Sequence, residues 1–144
     1  MPAKKILVAF DGSKHSRKAL EWALNSYETG TASIEVVTVV EPIANYSIPE
    51  EFPLEVTAFH QDQQAMREEK LKELRQEWAA CGKEFTAHVL NGNIVETLLD
   101  YSMESKADLL VTGTRGAGGF KGLLLGSVAH ELVTHAKMPV VVVK

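Results

Sequence analysis

Asp108-Leu-Leu-Val-Thr-Gly-Thr-Arg-Gly116, nine further residues, then Gly126-Ser-Val-Ala-His-Glu-Leu-Val-Thr-His135 is the stretch that decides how this chain reads. Asp108 to Thr112 is short and apolar, as a buried strand is, and Ser127 to His135 has helical spacing, with Val128, Leu132 and Val133 predicted on one face. Between them lie Gly113, Gly116, Gly118, Gly119, Gly122 and Gly126, six of the chain's ten glycines, so the loop has a purpose beyond turning. Glycine tolerates positive φ and places no Cβ between peptide and ligand, which leaves backbone N–H groups open to an anion. The helix start adds the positive end of its dipole, and Ser127 adds a hydroxyl donor. A glycine cluster alone reads as a flexible surface loop; the flanking strand and helix favour a phosphate cradle.

Outward from this unit the same alternation recurs. Lys4 to Phe10 is a nearly continuous apolar run, as expected of a strand buried on both faces of a parallel sheet. Asp11-Gly-Ser13 breaks it, and Ser13 or Asp11 caps a helix whose Ser16, Ala19, Leu20, Ala23, Leu24 and Tyr27 share a face. Ser33 to Val40 is a second, β-branched run. Glu41 to Pro53, with three prolines, is a loop and a candidate lid. A long helix is expected from Leu54 to Ala80, with Phe59, Met66, Leu71, Leu74 and Trp78 inward and a solvated charged face outward. Glu84 to Leu90 alternates as a strand, Asn93 with Glu96 resembles a capping box, and Ile94 to Ser105 is the third helix. Ala107 to Gly113 is the fourth strand and Pro139 to Lys144 the fifth.

This order predicts an α/β fold, a doubly wound five-stranded parallel sheet with helices on both faces and right-handed crossovers, in one domain over residues 1–144. Ligands of such sheets bind beyond the carboxyl ends of the strands, where strand order reverses. Asp11 follows strand one and the glycine loop follows strand four; if these strands are neighbours, acid and cradle face one cavity.

Net charge −4 and a pI near 5.7 argue against a duplex nucleic-acid partner, which calls for a basic stripe. The opening residues lack the apolar core of a signal peptide and no run approaches a membrane span, so cytoplasm is the expected compartment. Lone Cys81 reads as a buried or half-buried thiol of a reducing compartment. The histidines at 15, 60, 88, 130 and 135 do not have metal-ligand spacing, and Ser127 lacks a discernible base and orienting acid. A Walker A loop is excluded because the only Gly-Lys, Gly82-Lys83, precedes Glu84. A dinucleotide fingerprint would open the first strand–helix turn, yet that turn is Asp11-Gly-Ser-Lys14. A response-regulator receiver would need an acidic cluster and a lysine loop after strand five.

Gly113, Gly116, Gly126 and Ser127 reproduce a pattern of Gly, two residues, Gly, nine residues, Gly and Ser or Thr. With Ile6-Leu-Val-Ala-Phe-Asp-Gly-Ser13, Ala107 to Gly113 and the Pro139-Val140 run, the whole chain resembles the ATP-binding branch of the universal stress proteins, whose fold is of the adenine nucleotide alpha hydrolase type. The resemblance implies that Gly113, Gly116, Gly126 and Ser127 hold phosphates, with Val128 among the cofactor-binding residues. It implies that Ala9 and the Val39 backbone line an adenine pocket, and that Asp11 lies near ribose, phosphate or a bound Mg²⁺. Asp11 is equally suited to be a helix cap, and Arg115 is either a phosphate contact or a solvated loop arginine. The expected function is that of an ATP-dependent regulatory or protective module in stress, without efficient catalysis. A slow Mg²⁺-dependent ATPase and a dimeric scaffold with a vestigial pocket are the alternatives. The β-branched run from Pro139 to Lys144 at a sheet edge predicts a homodimer, as the resemblance also implies.

Overall fold

Two runs at the heart of the chain, Ile6 to Ala9 and Leu109 to Gly113, are buried at every position and apolar at all but Thr112. Strands without a wet face belong in the middle of a sheet covered on both sides. In the computed structural model, which describes residues 4–28, 30–42, 53–114 and 125–144 (53–60 by backbone alone), they lie side by side at its centre.

The elements are β1 (Lys4–Ala9), α1 (Lys14–Ser26), β2 (Ala32–Val40), α2 (Pro53–Ala79), β3 (Thr86–Asn91), α3 (Ile94–Glu104), β4 (Leu109–Gly113), α4 (Ser127–His135) and β5 (Val140–Val143). All strand pairs are parallel, in the order β3-β2-β1-β4-β5. The chain winds outward from β1 to β3, returns to the other side of β1 as β4, and ends at β5. Strand order therefore reverses between β1 and β4, and the two strands whose loops carried the sequence argument are neighbours.

Alternation within each central strand divides the core into two layers. Ile6, Val8, Ile34, Val36, Leu109 and Val111 face α1 and α2, meeting Leu20, Leu24, Leu71 and Leu74. Leu7, Ala9, Val37 and Leu110 face α3 and α4, meeting Leu98 and Leu132. The edge strands read differently: β5 is half-buried at each of its four valines.

Three expectations fail locally. Met66 is 47% and Val133 48% exposed, because the inward stripe of α2 runs through Leu71, Leu74 and Trp78 and that of α4 through Val128, Ala129 and Leu132. Met66 sits about 80° around the helix from Leu74, and Val133 about 100° from Leu132, at the 3.6-residue period. Cys81 is exposed, since it lies past the end of α2 in the turn closed by Gly82 N–H to Ala79 O at 3.0 Å. The Phe59 side chain and loop residues 43–52, the lid candidate, lie outside the described residues.

Candidate functional site

At the carboxyl end of β1 the backbone must leave the sheet and enter a helix within four residues. Asp11 makes the turn by accepting the Ser13 N–H on Oδ1 at 2.8 Å, and Gly12 between them takes φ +87°, which side-chain-bearing residues rarely adopt. Ser13 is the N-cap of α1, its Oγ accepting the Ser16 N–H at 3.2 Å, while the Ser16 hydroxyl returns a bond to Ser13 O at 2.9 Å. Of the two cap candidates, Ser13 holds the helix; Asp11 shapes the turn before it and stays exposed. Thr38 Oγ1 donates to Phe10 O at 2.8 Å, tying the end of β1 to β2.

At the end of β4 a different constraint rules. A Cβ on Gly113 would lie 2.7 Å from the His15 carbonyl carbon and oxygen and 2.8 Å from the His15 Cβ, so the first turn of α1 presses directly on this residue. Glycine is required at 113 for helix–strand contact, and no positive φ is involved. Gly126 likewise has ordinary angles, φ −70° and ψ 167°. Of the two reasons read from the sequence, positive φ and the lack of a Cβ, the first applies at neither position. Gly126 is the N-cap of α4, where it provides no side-chain cap. The N–H groups of Ser127, Val128 and Ala129 open the helix and have no partner within it, by the geometry of any α-helix start.

These ends enclose one cavity of about 80 Å³. Its floor is Ala9 of β1 and Phe10 just beyond it with Val37 and Val39 of β2; its walls are Ile94 and Leu98 of α3, Thr112 and Gly113 of β4, and Val128 and Ala129 of α4; Asp11 and Ser16 stand at one side. It is smaller than the roughly 300–1,000 Å³ of pockets that bury a whole ligand, so it suits one apolar moiety of a larger molecule. A groove of about 690 Å³ exists elsewhere, between the carboxyl ends of α1 and α2, where β2 and β3 begin. Size favours that groove; chemistry favours the smaller cavity, which lies at the strand reversal and beside an open helix start.

Of the residues singled out in the sequence, Ala9, Asp11, Val39, Gly113 and Val128 line this cavity, and Gly126 and Ser127 immediately precede Val128. Arg115 and Gly116 lie outside the described residues. Sequence reading did not assign Phe10, Ser16, Val37, Ile94, Leu98, Thr112 or Ala129 to the site. Ser16 was legible as the residue three beyond the cap; Ile94 and Leu98 join the site only because α3 packs on that face.

A second polar group lies on the α3 side of the sheet, away from this cavity. Glu35, its side chain only 8% exposed, accepts the Tyr101 hydroxyl on Oε1 and meets His88 Nε2 at 2.9 Å and Lys5 Nζ at 3.8 Å. Burial, then the hydrogen bond to Glu35 and the charges of Glu35 and Glu104, pushes the Tyr101 hydroxyl up to about 12. Among the described residues no set of three or more His, Cys, Asp or Glu is placed to hold a metal, and no helix is long and apolar enough to cross a membrane.

The profile of the universal stress protein family matches residues 2–144. The chain belongs to that family. It is 32% identical over 144 residues to a universal stress protein of Methanocaldococcus jannaschii, covering 98% of this chain and 82% of the relative. The fold is shared with the universal stress protein UspA from Lactobacillus plantarum, at TM-score 0.86 and 22% identity over 100% of this chain and 99% of the other. It is also shared with a universal stress protein family member from Arabidopsis thaliana solved with AMP bound, at TM-score 0.65 and 21% identity over 98% and 91% of the two chains.

Proposed function

We propose that this universal stress protein binds ATP together with Mg²⁺ in the cavity between β1 and β4, and acts in the cytoplasm as a nucleotide-dependent regulatory or protective module. One observation carries the reading: a small, largely apolar cavity at the strand reversal opens beside a helix start that lacks a side-chain cap. An uncapped α4 leaves N–H groups for an anion, where the helix dipole favours negative charge. The adenine lies against Ala9 and Val39, where main-chain N–H and C=O groups read a purine edge without any particular side chain. The phosphates lie toward Gly126, Ser127 and Val128; Gly113, Arg115 and Gly116 are assigned to them by the sequence pattern. Asp11, exposed at the side of the cavity and oriented by the Ser13 amide, fits as a single carboxylate for a Mg²⁺ that takes its remaining oxygens from phosphate and water. AMP in the Arabidopsis structure supports an adenine nucleotide as the ligand class.

Isothermal titration with ATP and MgCl₂ tests the reading. Saturable binding, weakened when AMP replaces ATP or when EDTA removes the metal, is the expected result. Absence of heat with both nucleotides overturns it. Steady-state hydrolysis is expected to stay below the usual enzyme range of about 1–10³ s⁻¹.

A further inference from the structure

Three interactions meet at Thr114, the residue with which the glycine loop leaves β4. Its N–H donates to Val143 O at 3.1 Å, anchoring it to β5. Its carbonyl accepts the Gly126 N–H at 2.6 Å, so the residue where the loop rejoins α4 is clasped to the residue where it began. Its hydroxyl lies 3.3 Å from His15 Nδ1, on the first turn of α1. Just before it, Gly113 has no Cβ because His15 occupies that space. Only 6% of Thr114 is exposed, so this hydroxyl has little recourse to water and its partner matters.

From this geometry we propose that His15 is a positioning residue for the glycine loop: by holding Thr114 Oγ1 it fixes the neck at which the loop leaves β4 and is clasped to α4. His15 itself need touch no ligand. A threonine hydroxyl donates to a bare imidazole nitrogen and accepts from a protonated one, so the contact persists in either charge state of the ring. A helix start held to the end of β4 pays less on binding to aim the Ser127, Val128 and Ala129 N–H groups at an anion, and that saving appears as affinity. The inference rests on the nucleotide reading for its consequence, but the tether itself exists in the free protein.

The test measures amide hydrogen exchange at Gly126 in the free protein, and ATP affinity by calorimetry, in His15→Ala, Thr114→Val and the double variant. His15→Asn and Thr114→Ser, which retain a polar atom at each position, serve as rescues. Each single variant is expected to speed Gly126 exchange by about tenfold while the β1 amides of Leu7 and Val8 keep their rates, since opening is local. ATP affinity is expected to fall by roughly two- to tenfold, the worth of one hydrogen bond, with the double variant no worse than either single one. The rescues should return both readouts toward the parent. Unchanged Gly126 exchange in His15→Ala overturns the proposal, as does equal acceleration in β1 or failure of both rescues. If the parent binds no nucleotide yet His15→Ala frees Gly126, the tether stands and the nucleotide reading falls. If the parent binds ATP and His15→Ala changes neither readout, the reverse holds.

Discussion

Glu35 is a carboxylate set in the run Ile34-Glu-Val-Val37, where alternation alone would assign it to water. The sheet instead brings Lys5 of β1 and His88 of β3 to either side of it and lowers Tyr101 of α3 onto Oε1. Oε2 has no hydrogen-bond partner among the described residues; Lys5 offers it charge at 3.8 Å. Such a group is tolerable only while its other partners remain in place. Tyr101 makes this measurable. Its hydroxyl titrates near 10 in an unfolded chain and at about 12 in the fold, so the fold favours the protonated form. That contribution is fully present below pH 10 and is lost as pH rises from 10 through 12. Urea denaturation at stepped pH should show stability falling across this window in the parent. Tyr101→Phe should lower stability by about 1 kcal/mol at neutral pH, by removing the bond to Glu35, and should flatten the decline between pH 10 and 12. An equally steep decline in the variant would remove Tyr101 from the account.

At the scale of elements, two of the three helices that line the cavity begin in opposite ways. α1 carries a serine cap, bonded in both directions between Ser13 and Ser16, whereas α4 starts at Gly126 with none. A bare N-cap forgoes stability that Ser or Asp would supply, and the gain is room and positive potential at the helix end. Because Gly126 has ordinary φ and ψ, Gly126→Asp is compatible with the backbone. The aspartate should cap α4, leaving melting temperature unchanged or slightly raised, by a few tenths of a kcal/mol relative to glycine. Its negative charge would occupy the place proposed for phosphate, so ATP binding in calorimetry should be lost. A variant that is both stable and fully competent to bind would show that α4 does not hold the phosphates.

For the whole molecule the open question is what meets the edge at β5. Among the described residues no further strand pairs with its outer side; its four valines are half-buried, with Pro139 before them and Lys144 after them as guards. We propose that two copies pair there antiparallel about a two-fold axis, which closes the symmetry at a dimer. Light scattering at micromolar concentration should give twice the 15.8 kDa chain mass, and Val141→Asp should give monomer or insoluble protein; a monomeric parent sinks the idea. The order of elements, the parallel sheet, the open helix start at Gly126 and the acid after β1 were all legible along the chain, because each is written in local periodicity and turn chemistry over a few consecutive residues. Expectations failed, or could not be formed, where partners lie far apart. The inward face of Met66 or Val133 depends on how a helix is rotated against the sheet. The purpose of Gly113 depends on His15, ninety-eight positions earlier in the chain. Burial of Glu35 depends on three other elements arriving with Lys5, His88 and Tyr101. Local propensity acts along the chain, whereas burial, close approach and charge pairing act through space, and these come into being only when the strands assemble in the order β3-β2-β1-β4-β5.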